Sequence, residues 1–198
     1  MLIKICGITR PEDAAAAVGA GADLVGFIFV PGTPRALDEA RVDWIREVEG
    51  AEKVGVFLDS PLETVMRVRD ALDLDWVQLH GEEPDVFLEV LGENVFRRVK
   101  IGTEVDWNRV AHLAERCLPL FDPGAGDGTS WAWGALTERP AGIRFGLAGG
   151  LTPGNVADAV RTVRPHLVDV SSGVESELGI KDHAKIRAFV DAVRSSEG

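Results

Sequence analysis

Short apolar runs and amphipathic segments alternate from end to end of this chain, and no other feature restricts its fold as much. The strand-like runs are Leu2 to Cys6, Leu24 to Phe29, Val54 to Leu58, Trp76 to Leu79, Val95 to Lys100, Leu118 to Phe121, Ile143 to Leu147 and Leu167 to Val170. Between them, Thr9-Arg10-Pro11-Glu12 and Ser60-Pro61-Leu62-Glu63 each read as a capping hydroxyl with an acid three residues on, and Thr152-Pro153 repeats the hydroxyl and the proline. Ile186, Phe189, Val190 and Val193 recur at helical spacing, so the last element is an amphipathic helix. The unit is strand then helix, repeated about eight times in steps of roughly 25 residues, which predicts an all-parallel α/β sheet.

Such a sheet either closes into a barrel or stays open and doubly wound, and strand parity chooses between them. Ile3 and Ile5 share one face of the first strand, with Lys4 and Cys6 on the other. Val77 and Leu79 oppose Gln78 and His80, and Val168 and Val170 oppose Asp169 and Ser171. An open sheet covered by helices on both sides needs two apolar faces, whereas a barrel tolerates polar side chains in its lumen near the mouth. The expectation is a compact (β/α)8 TIM barrel, residues 1–198 forming one domain. With 198 residues against the roughly 250 usual for that fold, its loops must be brief.

Composition narrows the setting. The net charge of -11 repels polyanions, and no basic run interleaved with aromatics offsets it, so nucleic acid is not an expected partner. No apolar run approaches the roughly 20 residues of a membrane span. Cys6 and Cys117 are the only cysteines, and Met1-Leu2-Ile3-Lys4 does not read as a leader, so the expectations are no disulfide framework and a cytoplasmic location.

Barrel chemistry belongs at the C-terminal ends of the strands. Cys6 closes the first strand; it is either a small buried hydrophobe or, with Lys4 two residues down the same face, a thiol drawn toward thiolate. Asp122 closes the sixth strand before the loop Pro123 to Thr129, and is either a turn-starting aspartate or a functional acid that the loop can bend over. Ala148-Gly149-Gly150-Leu151 follows the seventh strand and Ser171-Ser172-Gly173-Val174 the eighth. Glycines there either make tight turns or let backbone N–H groups approach an anion, and barrels commonly hold phosphate at those two loops. Arg35, after the second strand, is either solvated or a partner for a planar carboxylate. Asp169 has inward parity and suits a hydroxyl, the Lys4 cation, or both. His80 is a candidate base or substrate contact, with a satisfied structural histidine as the alternative. No two histidines have metal-ligand spacing, so no metal is expected.

Lys4-Ile5-Cys6-Gly7-Ile8-Thr9, the Phe-Ile-Phe segment leading to Pro34-Arg35, Val54-Gly55-Val56-Phe57, Gln78-Leu79-His80-Gly81, Leu147-Ala148-Gly149-Gly150-Leu151, and Asp169 to Glu175 with Lys181-Asp182 run in order over nearly the whole chain. Together they resemble the phosphoribosylanthranilate isomerases of tryptophan biosynthesis. The resemblance implies a cofactor-independent Amadori rearrangement of a small-molecule phosphoribosyl anthranilate, carried out by a monomer or homodimer. Asp122 is then the general acid and Cys6 the general base. Arg35 would hold the anthranilate carboxylate, Asp169 a ribose hydroxyl, and Gly149, Gly150, Ser171, Ser172 and Gly173 the phosphate, with His80 also at the substrate. One stretch departs from the pattern: where family members usually read Gly-Gly-Thr/Ser-Gly and then Phe-Asp-Trp, this chain has Gly126-Asp127-Gly128 and then Trp131-Ala132-Trp133. The competing readings are another phosphosugar barrel, which in the epimerase case would want paired His and Asp metal ligands, and a non-catalytic phosphosugar-binding module, which would bind without turnover.

Overall fold

The computed structural model describes residues 1–101, 105–123 and 133–196. Eight parallel strands follow one another in chain order around a closed barrel. They are β1 (Leu2–Ile5), β2 (Leu24–Ile28), β3 (Glu52–Phe57), β4 (Trp76–Leu79), β5 (Val95–Val99), β6 (Leu118–Phe121), β7 (Gly146–Leu147) and β8 (Leu167–Val170). The seam is made by β1 and β8, with Leu2 opposite Leu167 and Lys4 opposite Asp169. Helices α1 (Pro11–Ala20), α2 (Leu62–Ala71), α3 (Val86–Leu91), α4 (Trp107–Ala114), α5 (Val156–Val163) and α6 (His183–Ser195) surround it. Among the described residues no helix is long and apolar enough to cross a membrane.

The parity argument holds strand by strand. Ile3, Ile5, Val25, Phe27, Val77, Leu79, Val168 and Val170 point outward into the layer shared with the helices, where Ala14, Ala17, Val65, Val68, Ile186 and Phe189 meet them. Each large apolar side chain fully removed from water there contributes roughly 1.5–3 kcal/mol. The inward face carries a second, smaller apolar group of Leu24, Val54, Phe96, Leu118, Leu120, Ala148 and Leu167. Trp76 stacks on Phe96 with ring centroids 4.6 Å apart. Two residues further along the same strands come Lys4, Gln78, Arg98, Asp122 and Asp169, so the lumen is apolar at its base and polar toward the mouth.

Three local expectations are corrected. The strand-then-helix unit is not uniform: the second connection carries only two 3-10 turns, Glu39–Arg41 and Asp43–Glu47, and Trp133–Leu136 before β7 is likewise a 3-10 turn. In the second connection Pro31, Gly32 and Pro34 build a mouth loop that returns when the Leu37 N–H donates to Ile28 O, and the chain from there to β3 makes only the two short turns. The seventh strand shrinks from Ile143–Leu147 to Gly146–Leu147. The hydroxyls also do not cap. A residue preceding proline is pushed out of helical backbone, so Arg10 (φ -138°, ψ 146°) is the N-cap of α1 and Pro11 its first residue. The Thr9 hydroxyl donates instead to Gly179 O, and that of Ser60 to Leu58 O. Asn155, not Thr152, precedes α5. Side-chain caps come from Asp106 for α4 and Asp182 for α6, whereas Asp85 before α3 makes none. An element outside the repeat, the hairpin β9 (Glu175–Glu177) and β10 (Ile180–Lys181), stands at the mouth after β8.

Candidate active site

The mouth of the barrel encloses a cavity of about 470 Å³, within the range of small-ligand sites. Cys6, Arg35, His80, Asp122, Gly149, Gly150, Asp169, Ser171, Ser172 and Gly173 all line it. Residues named from strand ends and loops scattered over most of the sequence thus meet around one space. Residues 124–132, which include most of the sixth loop together with Trp131 and Ala132, lie outside the described residues.

Register makes the first pair. Because Lys4 sits opposite Asp169 across the seam, its Nζ donates to Asp169 Oδ2 at 2.9 Å with neither side chain more than marginally exposed. Burial works against the Lys4 charge, but Asp169 and the Cys6 sulfur outweigh it and raise the lysine pKa, so the lumen keeps a permanent cation. The other oxygen, Asp169 Oδ1, is buried and meets no donor among the described residues. An acceptor in that condition suits a hydroxyl-bearing ligand.

Cys6 corrects one expectation. Its backbone N–H donates to Val170 O, which holds the end of β1 against β8. Its thiol does sit against Lys4, yet burial dominates and pushes its pKa above the ordinary value, with Lys4 offsetting only part. Burial therefore works against the thiolate more strongly than Lys4 works for it. Alkylation at Cys6 by iodoacetamide should accelerate close to tenfold per pH unit between about pH 7 and pH 9, since only the thiolate reacts and its fraction keeps growing below the pKa. Peptide mapping against time reads this rate, and a plateau beginning below pH 8 would show that Lys4 wins after all. Cys117 lies behind β6 and outside the cavity lining, with its Sγ donating to Leu113 O and burial pushing its pKa to about 11, so it should label more slowly for want of access. Both cysteines are free.

Arg35 is locked by a residue far away in sequence. Its Nε and Nη2 donate to the two oxygens of Glu175 at 2.6 and 2.7 Å, a bidentate fork that fixes the guanidinium plane. Glu175 also accepts from the buried Lys181 Nζ at 3.0 Å, and Lys181 donates on to Ser171 O, so the second and eighth loops form one unit. His80 Nδ1 lies 3.1 Å from Gln78 Nε2, and with the amide in this orientation Nδ1 accepts and the ring proton is assigned to Nε2. Burial first, then the Arg98 and Lys4 charges, lower the His80 pKa to about 4. A histidine that weakly basic is suited to donating a hydrogen bond and unsuited to proton abstraction near neutral pH.

The glycine segments are shaped for close approach. Gly149 and Gly150 have φ of +83° and +66°, which side-chain-bearing residues rarely adopt. Asn155 holds the turn by accepting from Thr152 N and donating to Gly150 O. A Cβ on Gly173 would stand 1.9 Å from Leu151 O, so only glycine lets the eighth loop touch the seventh. Among the described residues the N–H groups of Gly149, Gly150 and Gly173 meet no intrachain acceptor. Ser172–Val174 is a three-residue 3-10 turn and the expected amphipathic helix α6 begins only at His183, so backbone donors rather than a long helix dipole line this end of the cavity.

A model of the N-(5'-phosphoribosyl)anthranilate (PRA) isomerase family matches residues 3–192. The chain belongs to that family. It is 41% identical over 203 residues to the N-(5'-phosphoribosyl)anthranilate isomerase of Geotalea daltonii, covering 99% of this chain and 98% of that one. Among solved structures it resembles monomers generated from the dimeric phosphoribosylanthranilate isomerase of Thermotoga maritima, with 35% identity, a TM-score of 0.86 and coverage of 98% and 100% of the two chains. It also resembles a phosphoribosyl anthranilate isomerase in complex with reduced 1-(o-carboxyphenylamino)-1-deoxyribulose 5-phosphate, with 34% identity, a TM-score of 0.85 and the same coverage. The isomerase fold and the barrel expected from strand parity agree. Among the described residues no three His, Cys, Asp or Glu side chains gather to hold a metal ion.

Sequence reasoning left three contributors unassigned. Glu175 and Lys181 carry no local pattern that announces a role. Arg98 was visible only by carrying inward parity along β5 from Phe96, and its guanidinium donates to the carbonyls of His80, Asp122 and Pro123.

Proposed function

We propose that this chain converts N-(5'-phosphoribosyl)anthranilate into 1-(2-carboxyphenylamino)-1-deoxyribulose 5-phosphate, with Asp122 as general acid and Cys6 as general base. The observation that carries the reading is the single mouth cavity bounded by an acid, a thiol, an arginine and two glycine loops. Asp122 gives its proton to the ribose ring oxygen as the bond from that oxygen to C1 breaks and the anilino nitrogen lone pair forms C1=N. Cys6, acting from the thiolate fraction that Lys4 sustains, then takes the proton from C2, and that electron pair makes C1=C2 and neutralises the iminium. The resulting enol loses its hydroxyl proton while C1 gains one, which leaves the ketone. Throughout, the remaining Arg35 donors address the anthranilate carboxylate, Asp169 Oδ1 and His80 Nε2 address ribose hydroxyls, and the backbone donors of Gly149, Gly150 and Gly173, with Ser171 and Ser172 beside them, take the phosphate. The reading places the enzyme in the cytoplasm as a monomer or homodimer, and the net charge of -11 argues against nucleic acid as a partner.

The direct test is loss of the anthranilate adduct's fluorescence signature on adding purified protein to phosphoribosylanthranilate. Turnover is expected, and saturable binding without turnover would reduce the chain to a binding module. A second experiment addresses the phosphate end. Gly173→Ala should weaken the reduced product analogue by more than about tenfold while changing affinity for free anthranilate by less than about twofold, because only the former carries the phosphate. Fluorescence titration of both ligands reads the two constants, and equal losses would assign Gly173 to folding alone.

A further inference from the structure

Asp122 stands where the β-ladder runs out. Its N–H still donates to Val99 O of β5 at 3.3 Å, but the next residue, Pro123, has no N–H with which to continue pairing. The carbonyls of Asp122 and Pro123 therefore need donors from elsewhere. One side chain supplies both: Arg98 Nε donates to Asp122 O at 3.2 Å and Nη2 to Pro123 O at 3.1 Å. Its remaining arm, Nη1, reaches the opposite way to His80 O at 3.2 Å. A single planar fork thus spans from the end of β4, over β5, to the end of β6. Arg98 does not itself line the mouth cavity.

From this bridge we infer that Arg98 is a positioning residue for the isomerisation, fixing the main chain at Asp122 so that the acid's carboxyl is presented to the sugar ring. The inference rests on Asp122 being the acid. The guanidinium is matched to the task because its donors are coplanar and splayed, so three carbonyls on two strand ends can be met without rotation. A lysine would bring the same charge but a compact ammonium on a flexible stem, able to satisfy one or two of those carbonyls. Since the residue touches no part of the cavity, its loss should act on the chemical step and not on substrate binding. A shift of the acid by even an ångström is enough to slow catalysis heavily.

The experiment uses the full chain with Arg98→Lys, Asp122→Asn and the double variant, each checked for native circular dichroism and Tm. Arg98→Lys is expected to lower kcat by about 10- to 100-fold while KM and the Kd of the reduced product analogue stay within about threefold. In the Asp122→Asn background Arg98→Lys should cost nothing further, because there is no longer an acid to position. A truncated Arg98→Ala should recover part of its lost kcat when guanidinium ion is added at millimolar concentration. A kcat for Arg98→Lys within twofold of the parent would overturn the inference, as would a rise in KM with kcat unchanged, or losses that multiply in the double variant. Those results are separable from failure of the acid itself. Near-parental activity of Asp122→Asn removes the acid and this inference with it, whereas an impaired Asp122→Asn beside a fully active Arg98→Lys removes the inference alone.

Discussion

Asp122→Asn is expected to lower kcat by about 10²- to 10⁴-fold and to leave KM within a few-fold of the parent value. Asparagine matches the carboxyl in shape and can still hydrogen-bond a ring oxygen, but it has no acidic proton to deliver as the C1–oxygen bond breaks. The backbone that carries it should not move. Its N–H donates to Val99 O and its carbonyl accepts from Arg98, and neither contact involves the side chain. The loss should therefore appear in the transition state only. Steady-state fluorescence kinetics across a range of substrate concentrations separates the two parameters, and retention of more than a tenth of the parental kcat would remove Asp122 from the acid role.

Cys6→Ser should be as damaging, with kcat falling about 10²- to 10⁴-fold. The hydroxyl fills nearly the same volume at the end of β1, and Val170 O can still accept from the backbone N–H. What changes is acidity: burial already pushes the thiol upward despite Lys4, and an alcohol in the same place is out of reach of deprotonation near neutral pH. The reduced product analogue should still bind within about threefold, because the serine removes a proton acceptor and not a binding group. If Cys6→Ser keeps substantial turnover, proton removal from C2 belongs to another group, and Asp169, with one carboxylate oxygen meeting no donor among the described residues, becomes the next to substitute.

Much of this site is legible in the sequence alone. Inward parity placed Lys4, Gln78 and Asp169 in the lumen because a parallel strand buried against helices alternates strictly, and chemistry at strand ends follows from where a barrel opens. What escaped depends on distance in the chain or on environment. Glu175 captures Arg35 from 140 residues away, and no local pattern announces such a pair. Spacing along β1 brings Lys4 near Cys6, but the direction of the thiol's pKa is decided by how completely the closed barrel excludes water, which spacing does not encode. The helix starts failed for a different reason. Thr9 and Ser60 looked like caps by residue type, while the prolines that follow set the backbone there.

The seam between β1 and β8 has a consequence for biosynthesis of the molecule. The partner that holds Lys4 lies 165 residues further on, and the carbonyl that anchors Cys6 belongs to the last barrel strand. While the ribosome is still adding the first seven strands, Cys6 has no wall on one side and the Lys4 cation lacks Asp169. The pocket therefore does not mature gradually as strands accumulate. It comes into being in one event, when β8 docks, and a nascent chain halted before Leu167 should present a half-pipe with no affinity for the product analogue.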